Sequence, residues 1–282
     1  MTATTNHTCF TLEISDHIAH VQLNRPEKAN SMIPAFWLEF PKVIDELSQN
    51  GDARVIVISS QGKHFCAGMD ISVFMEGALD GEPGNPQVSA EAFLHKVHSL
   101  QETFTSLERA RQPVLVACQG GVIGGAVDMV TAADCRYASA DAFFCIQETA
   151  IGMTADVGTF PRLAKVIPEG WARQMSYTAE RLPAAKAKEI GLVNEVFETP
   201  DALLDGVMEI ARKIANHSPL AVTGCKRMIT YARDHTTADA LNYIGVWNAG
   251  MLRPDDIRES YVAKSEGRLP EFHKLKKVEP GV

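Results

Sequence analysis

The stretch "QGGVIGGAVDM", residues 119–129, places four glycines close together and then sets Asp128 inside an otherwise apolar run. It follows "PVLVAC" (113–118), a continuous apolar segment of the kind that fills a buried strand. It precedes "AVDMVTAAD", which has helical texture. Gly124 and Gly125 therefore fall near a helix N-terminus, where main-chain N–H groups lack intrahelical partners and the dipole favours negative charge. Glycine also tolerates positive φ and lets another backbone come close. Two readings stay open here: a main-chain donor for an oxyanion, or tight helix–strand packing. A phosphate loop is disfavoured because the run has no Gly-Lys-Ser/Thr ending. A dinucleotide fingerprint is disfavoured because no early βαβ unit carries it.

Working outward, a second glycine turn, "GKHFCAGMDI" (62–71), follows "ARVIVISS" (53–60), another buried strand. Two strand-end turns of this type can converge two N–H groups on one oxygen, as an enolate or a tetrahedral oxyanion requires. Earlier, "HIAHVQLN" alternates like a strand and stops at the turn "RPEKAN" (25–30). "PAFWLEFPKVIDELSQN" (34–50) spaces Phe36, Phe40, Val43, Ile44 and Leu47 as a helix, which Pro41 should kink or divide. Strand and helix alternate, so the fold class is α/β. Residues 76–90 are rich in Gly, Pro and acids and read as a surface loop or lid. Residues 201–264 carry few strand signals and many helix formers, which places a C-terminal helical section after a core of residues 1–200.

The chain has 282 residues, a formal charge of −8, 45% hydrophobic and 22% charged residues. That is ordinary globular composition. The mild acidity and the lack of a Lys/Arg block argue against nucleic-acid binding. No apolar run approaches the ~20 residues that cross a bilayer. The start "MTATTNHTCF" does not read as a signal peptide and the end "EPGV" is no peroxisomal address, so a cytoplasmic location is the expectation. None of the six cysteines forms a CxxC pair, which points to a reducing compartment without disulfides or zinc.

Three blocks, "HVQLNRPEKANSM", "GKHFCAGMDI" and "GGVIGGAVDMVTAADCRYAS", together resemble the crotonase (enoyl-CoA hydratase/isomerase) superfamily in order and spacing. "GLVNEVF" and the C-terminal helices extend the likeness over most of the chain. The resemblance implies a spiral of ββα units with a C-terminal helical section that assembles trimers or dimers of trimers. It implies an acyl-CoA thioester as substrate, with no further cofactor and no metal. It places the two oxyanion donors on the N–H groups of Met69 and Gly125. It places the coenzyme A pocket on Lys28, Ala29, Ala67, Gly68, Asp70 and Ile71, mostly through backbone.

Three acids are candidates for moving a proton: Asp128, Glu148 and Asp156. Asp128 lies on the first turn of the helix after Gly125, among apolar neighbours that raise a carboxyl pKa unless hydrogen bonds offset them. Glu148 ends the alternating run "DAFFCIQE", a strand that would project it into the site. Asp156 lies in the Gly-flanked segment "IGMTADVGTF", which can curl back. Ordinary enoyl-CoA hydratases carry Glu at the positions of Asp128 and Glu148 and usually Gly at that of Asp156. An Asp, Glu, Asp set resembles instead the 3,5-dienoyl-CoA to 2,4-dienoyl-CoA isomerases, as do "ADVGT", "DAFF" and "NRPEKANSMIPAFW". Shifting two conjugated double bonds removes a proton at C2 and delivers one at C6, sites roughly 5 Å apart along an extended chain. Two separated acids suit that task, and Glu148 and Asp156 are assigned as the pair, with either taking the C2 proton. Asp128 would orient or tune them; water activation is its weaker role. The alternatives are a 2-enoyl-CoA hydratase and a non-catalytic acyl-CoA or RNA-binding member of the fold.

The remaining candidates have structural readings. His64 reads as a turn residue, and His95 and His98 as a helix surface or acyl-pocket lining without a third metal ligand. Arg25 and Lys28 would meet phosphates or stay solvated. Phe74, Met75, Phe93 and the loop at 76–90 would shape an acyl tunnel or belong to the core. Cys66 and Cys145 have no visible base partner.

Overall fold

The computed structural model describes residues 3–75 and 85–279. Its strands are β1 (Ala3–Asn6), β2 (Phe10–Ser15), β3 (Ile18–Leu23), β4 (Val55–Ser60), β5 (Val114–Cys118), β6 (Gly121–Ile123), β7 (Cys135–Ser139), β8 (Phe143–Cys145), β9 (Leu182–Pro183) and β10 (Glu195–Phe197). Its helices are α1 (Pro34–Asn50), α2 (Ile71–Met75), α3 (Pro86–Arg109), α4 (Gly125–Ala132), α5 (Thr159–Leu163), α6 (Glu169–Thr178), α7 (Ala184–Glu189), α8 (Pro200–Ala215), α9 (Pro219–Ala232), α10 (Thr237–Met251) and α11 (Pro254–Glu266).

A large sheet runs β1-β2-β3-β4-β5-β7-β10, antiparallel over its first three strands and parallel from β3 onward. A small sheet runs β6-β8-β9. β4, "VIVISS", is buried along its whole length, as a central parallel strand must be. Its side chains serve two cores: Ile56 and Ile58 join the core under α1 and α4, while Val55 and Val57 meet Leu203, Val207, Ala211 and Ala215 of α8. β5 divides in the same way, Val114 and Val116 against Leu115 and Ala117. The outer face of the sheet is thus covered by the first C-terminal helix.

Two local expectations change. α1 runs undivided through Pro41, which sits inside the helix. The segment from Pro86 is no loop: Asn85 caps α3 by accepting from the Gln87 N–H at 2.9 Å, and Pro86 takes the first turn, where its missing donor is tolerated. The acyl-tunnel expectation for Phe74, Met75 and residues 76–84 falls on side chains and a segment outside the described residues.

Candidate active site

β5 and β4 end side by side, and the chain after each turns over the same ground. After β4, the segment 66–70 is laced to two neighbours. Cys66 exchanges main-chain bonds with Gly121 and Ile123, at 3.1 and 3.0 Å. The Met32 N–H donates to the Gly68 carbonyl at 2.8 Å, and the Asp70 N–H to the Met32 carbonyl at 3.0 Å. This fixes the Met69 N–H on the opposite side of the strand-like segment. After β5 and β6, Gly124 turns with φ +55° and donates its N–H to the Cys145 carbonyl at 2.9 Å. Gly125 then opens α4. Among the described residues, no acceptor meets the N–H of Met69 or of Gly125.

Two of the glycines have a physical reason. Gly68 has φ +83°, and a Cβ there would lie 2.7 Å from the Ile123 carbonyl oxygen and 3.1 Å from the Gly125 nitrogen. A Cβ on Gly124 would lie 3.0 Å from Glu148 Oε1. The close approach that glycine permits is what brings the two N–H groups and the carboxylate together.

Both loops open onto a cavity of about 420 Å³. Ala67, Gly68, Met69, Ile71, Gly125, Asp128, Glu148 and Asp156 all line it, so eight of the residues singled out from sequence converge. Lys28, Ala29 and Asp70 do not line it. Lys28 is exposed on a 3₁₀ turn, Pro26–Lys28, and the Ala29 carbonyl accepts from the Ala67 N–H at 2.9 Å. The main-chain donor of Asp70 is already engaged by Met32. Its carboxylate accepts from Ser31 Oγ at 2.6 Å and Ser72 Oγ at 2.8 Å, and these bonds hold its pKa down to about 2. Asp70 is thus a brace, its carbonyl accepting in turn from the Val73 N–H at 3.0 Å.

The three acids sit on different supports. Asp128 is 1% exposed on α4, and its Oδ1 accepts from the N–H of Thr159 at 2.6 Å and its hydroxyl at 2.8 Å. Burial pushes its pKa up to about 7 against those two bonds, and the charges of Glu148 and Asp156 push the same way. Glu148 does not end a strand: β8 stops at Cys145, and Glu148 begins a 3₁₀ turn, Glu148–Ile151. The sharper turn aims it at Gly124. Its Oε2 is buried without a partner among the described residues, and burial, then the charge of Asp156, raise its pKa. Asp156 is half-buried before α5, its carbonyl held by Gln101 Nε2 at 2.7 Å, and burial raises its carboxyl pKa.

Around the site, His64 Nδ1 accepts from the Gly121 N–H at 2.9 Å, a turn brace. Cys66 is buried, its thiol pushed up to about 12, and its Sγ donates to the Asn30 carbonyl at 3.1 Å. Cys145 Sγ donates to the Ala179 carbonyl at 3.1 Å. Neither is an activated nucleophile. Arg25 donates to the Ser31 carbonyl at 2.6 Å. His95 pairs with Glu91 at the surface, and Phe93 is 42% exposed and outside the cavity lining. Sequence reasoning gave no role to Trp37, Gln147, Met153 or Val157, which line the cavity, or to Thr159. The indole N–H of Trp37 is buried without a partner among the described residues. Its helical face, shared with Phe36 and Phe40, looked like ordinary core. Thr159 carried no local signal, because its partner Asp128 lies 31 residues away.

The Enoyl-CoA hydratase/isomerase family model matches residues 13–274. The chain is 39% identical over 259 residues to a peroxisomal Delta(3,5)-Delta(2,4)-dienoyl-CoA isomerase from Arabidopsis thaliana, covering 92% of this chain and 93% of that one. It is 40% identical over 254 residues to the mitochondrial Delta(3,5)-Delta(2,4)-dienoyl-CoA isomerase of Homo sapiens, covering 89% and 77%. The crystal structure of an enoyl-CoA hydratase from Bacillus anthracis superposes with a TM-score of 0.80 at 28% identity, covering 99% of both chains. The cytoplasmic expectation is corrected by these findings, since the two relatives are named for the peroxisome and the mitochondrion. It rested on reading an address from chain ends, which carry no information about the chemistry within. With the α/β crotonase fold and its C-terminal helices in place, the chain belongs to the enoyl-CoA hydratase/isomerase family.

Proposed function

We propose that this protein converts 3,5-dienoyl-CoA to 2,4-dienoyl-CoA in fatty-acid β-oxidation. The observation that carries the reading is the convergence of Asp128, Glu148 and Asp156 on one cavity beside two main-chain N–H groups without acceptors. The thioester carbonyl accepts from the N–H groups of Met69 and Gly125. As the α-proton leaves, charge develops on that oxygen, and each such donor contributes about 10²- to 10³-fold in rate. The intermediate is a dienolate spread from the oxygen to C6. One of Glu148 and Asp156 removes the C2 proton and the other delivers a proton to C6. Three carboxyls in one small cavity cannot all ionise cheaply, since burial raises the pKa of each, and a proton held among them serves as the acid. The relatives named as dienoyl-CoA isomerases support the same substrate class. The reaction needs no metal and no redox cofactor, and coenzyme A enters as part of the substrate. We extend the reading to a homotrimer or dimer of trimers assembled through the C-terminal section.

A second reading, hydration of a 2-enoyl-CoA, is favoured by one feature: Asp128 and Glu148 line one cavity and could share a water. The two separate by assay. The protein is incubated with a 3,5-dienoyl-CoA and with a 2-enoyl-CoA while conjugated-diene absorbance is followed. Rapid diene conversion with slow hydration supports isomerisation; rapid hydration without a diene shift overturns it.

A further inference from the structure

We propose that Thr159 is a positioning residue for the reaction, holding Asp128 through paired bonds from its N–H and its hydroxyl to one carboxylate oxygen. The proposal rests on the isomerase reading of the cavity, but its physical content is local. Both bonds fall on Oδ1, at 2.6 and 2.8 Å, and both come from one residue at the start of α5. A carboxylate gripped at a single oxygen by two donors cannot rotate about its last bond without losing both. Among the described residues, Oδ2 has no bond, while Asp128 lines the cavity. Thr159 thereby fixes which oxygen is spent on the protein and which is left for the reacting chain.

The same grip sets where charge resides. Hydrogen bonds to the ionised form favour it. Asp128 has two such bonds from Thr159, whereas Glu148 is opposed in its burial by backbone donors alone and its Oε2 has no partner among the described residues. The charged groups that act on Asp128 are Glu148, from the turn after β8, and Asp156, from the segment before α5. Of the elements packed on α4, β6 carries no titratable side chain. Those on α3 and α5 are engaged with each other or at the surface: Arg162 bonds Glu108 at 2.8 Å, and Arg109 bonds Glu102 at 2.8 Å. The donors that oppose the burial of Asp128 are therefore those of Thr159. With them the carboxyl stays able to ionise near neutrality, and once ionised its charge opposes loss of a proton from Glu148 and Asp156.

The test uses Thr159→Val, which keeps the volume and the N–H but deletes the hydroxyl, and Thr159→Ser, which restores it. The carboxyl carbon of Asp128 is followed by ¹³C NMR in aspartate-labelled full-length protein and assigned with Asp128→Asn. We expect its titration midpoint to rise by about one pH unit in the valine variant and to return in the serine variant. In the isomerase assay, the acid limb of the kcat profile should move upward in step, with kcat lowered about tenfold at neutral pH and KM little changed. An unmoved midpoint in Thr159→Val, or a serine variant as shifted as the valine one, overturns the proposal. A wild-type protein that leaves 3,5-dienoyl-CoA unchanged counts against the functional reading alone, because the titration still decides the role of Thr159.

Discussion

The glycine loops and the acid-bearing segment meet at one cavity but are built differently. The loops at Gly68 and Gly124 are fixed by main-chain bonds on both sides, through Met32, Gly121, Ile123 and Cys145. Their donors belong to the backbone, so only a change that moves the backbone, such as a side chain at Gly68 or Gly124, displaces them. The acids have separate supports: a 3₁₀ turn for Glu148, the Gln101 side chain for the segment of Asp156, and Thr159 for Asp128 on α4. The contrast teaches a division of labour. In the proposed reaction the loops supply what a thioester enolate needs, and the acids decide which proton moves where. One part is intolerant of change, and the other is where reaction choice resides.

The largest effect should come from breaking the loops. Gly68→Ala puts a Cβ 2.7 Å from the Ile123 carbonyl at a φ of +83°, and neither neighbour is a flexible side-chain tip. Turnover of every acyl-CoA substrate should fall by about 10³-fold or more as both donors shift. Assays with dienoyl and enoyl thioesters, beside circular dichroism, check this; selective loss of one substrate would break the contrast. Next comes the acid segment. Asp156→Asn should lower isomerisation by about 10³-fold, the scale of a lost proton-transfer group. Any hydration of a 2-enoyl-CoA should persist, because the loops and Glu148 are untouched. Equal loss of both activities would remove the assigned pairing of Glu148 with Asp156.

The two regions were unequally legible. The buried strands 55–60 and 114–118 announce themselves as continuous apolar runs, and the glycines that follow have few uses besides close approach. The local backbone pointed to the two glycine turns, and the resemblance to the crotonase superfamily placed the donors on Met69 and Gly125. Glu148 lines the cavity as expected but stands on another element, since "DAFFCIQE" alternates as a strand would, whereas β8 ends at Cys145, paired with Ile123 of β6. Thr159 and Gln101 were invisible because their partners are distant in sequence. Only tertiary packing brings the start of α5 onto α4. Asn85 and Pro86 are a helix start in plain sight, yet the Gly- and Pro-rich residues before them gave the whole stretch a loop texture.

A third prediction concerns the cost of holding Asp128 where it is. Its carboxyl is raised from an ordinary value of 3.8 to about 7 in the folded protein, so folding takes up a proton between those values. The sign follows: this contribution favours the folded state below pH 3.8 and is lost as pH rises through about 7, amounting to about 4 kcal/mol at most. Asp128→Asn keeps the shape and still accepts from Thr159. Denaturant midpoints at pH 5 and pH 8 should therefore fall less with rising pH in the variant than in wild type, while its isomerase activity drops. Parallel slopes would mean that Asp128 is not the group taking up the proton.

The smallest effect should come from Gln101, and it sharpens the contrast most. Its side chain holds the Asp156 carbonyl at 2.7 Å and makes no other hydrogen bond among the described residues. One neutral hydrogen bond contributes about 0.5–1.5 kcal/mol net, which corresponds to roughly a two- to tenfold change in rate. In Gln101→Leu the acid segment loses a strap while the glycine loops keep all of theirs. Isomerisation kcat should fall by that factor with KM unchanged, because thioester binding belongs to the loops and proton delivery to the segment. If KM rises instead, the segment helps to bind the acyl chain, and the separation between the region that holds the substrate and the region that selects its reaction is less sharp than their different construction implies.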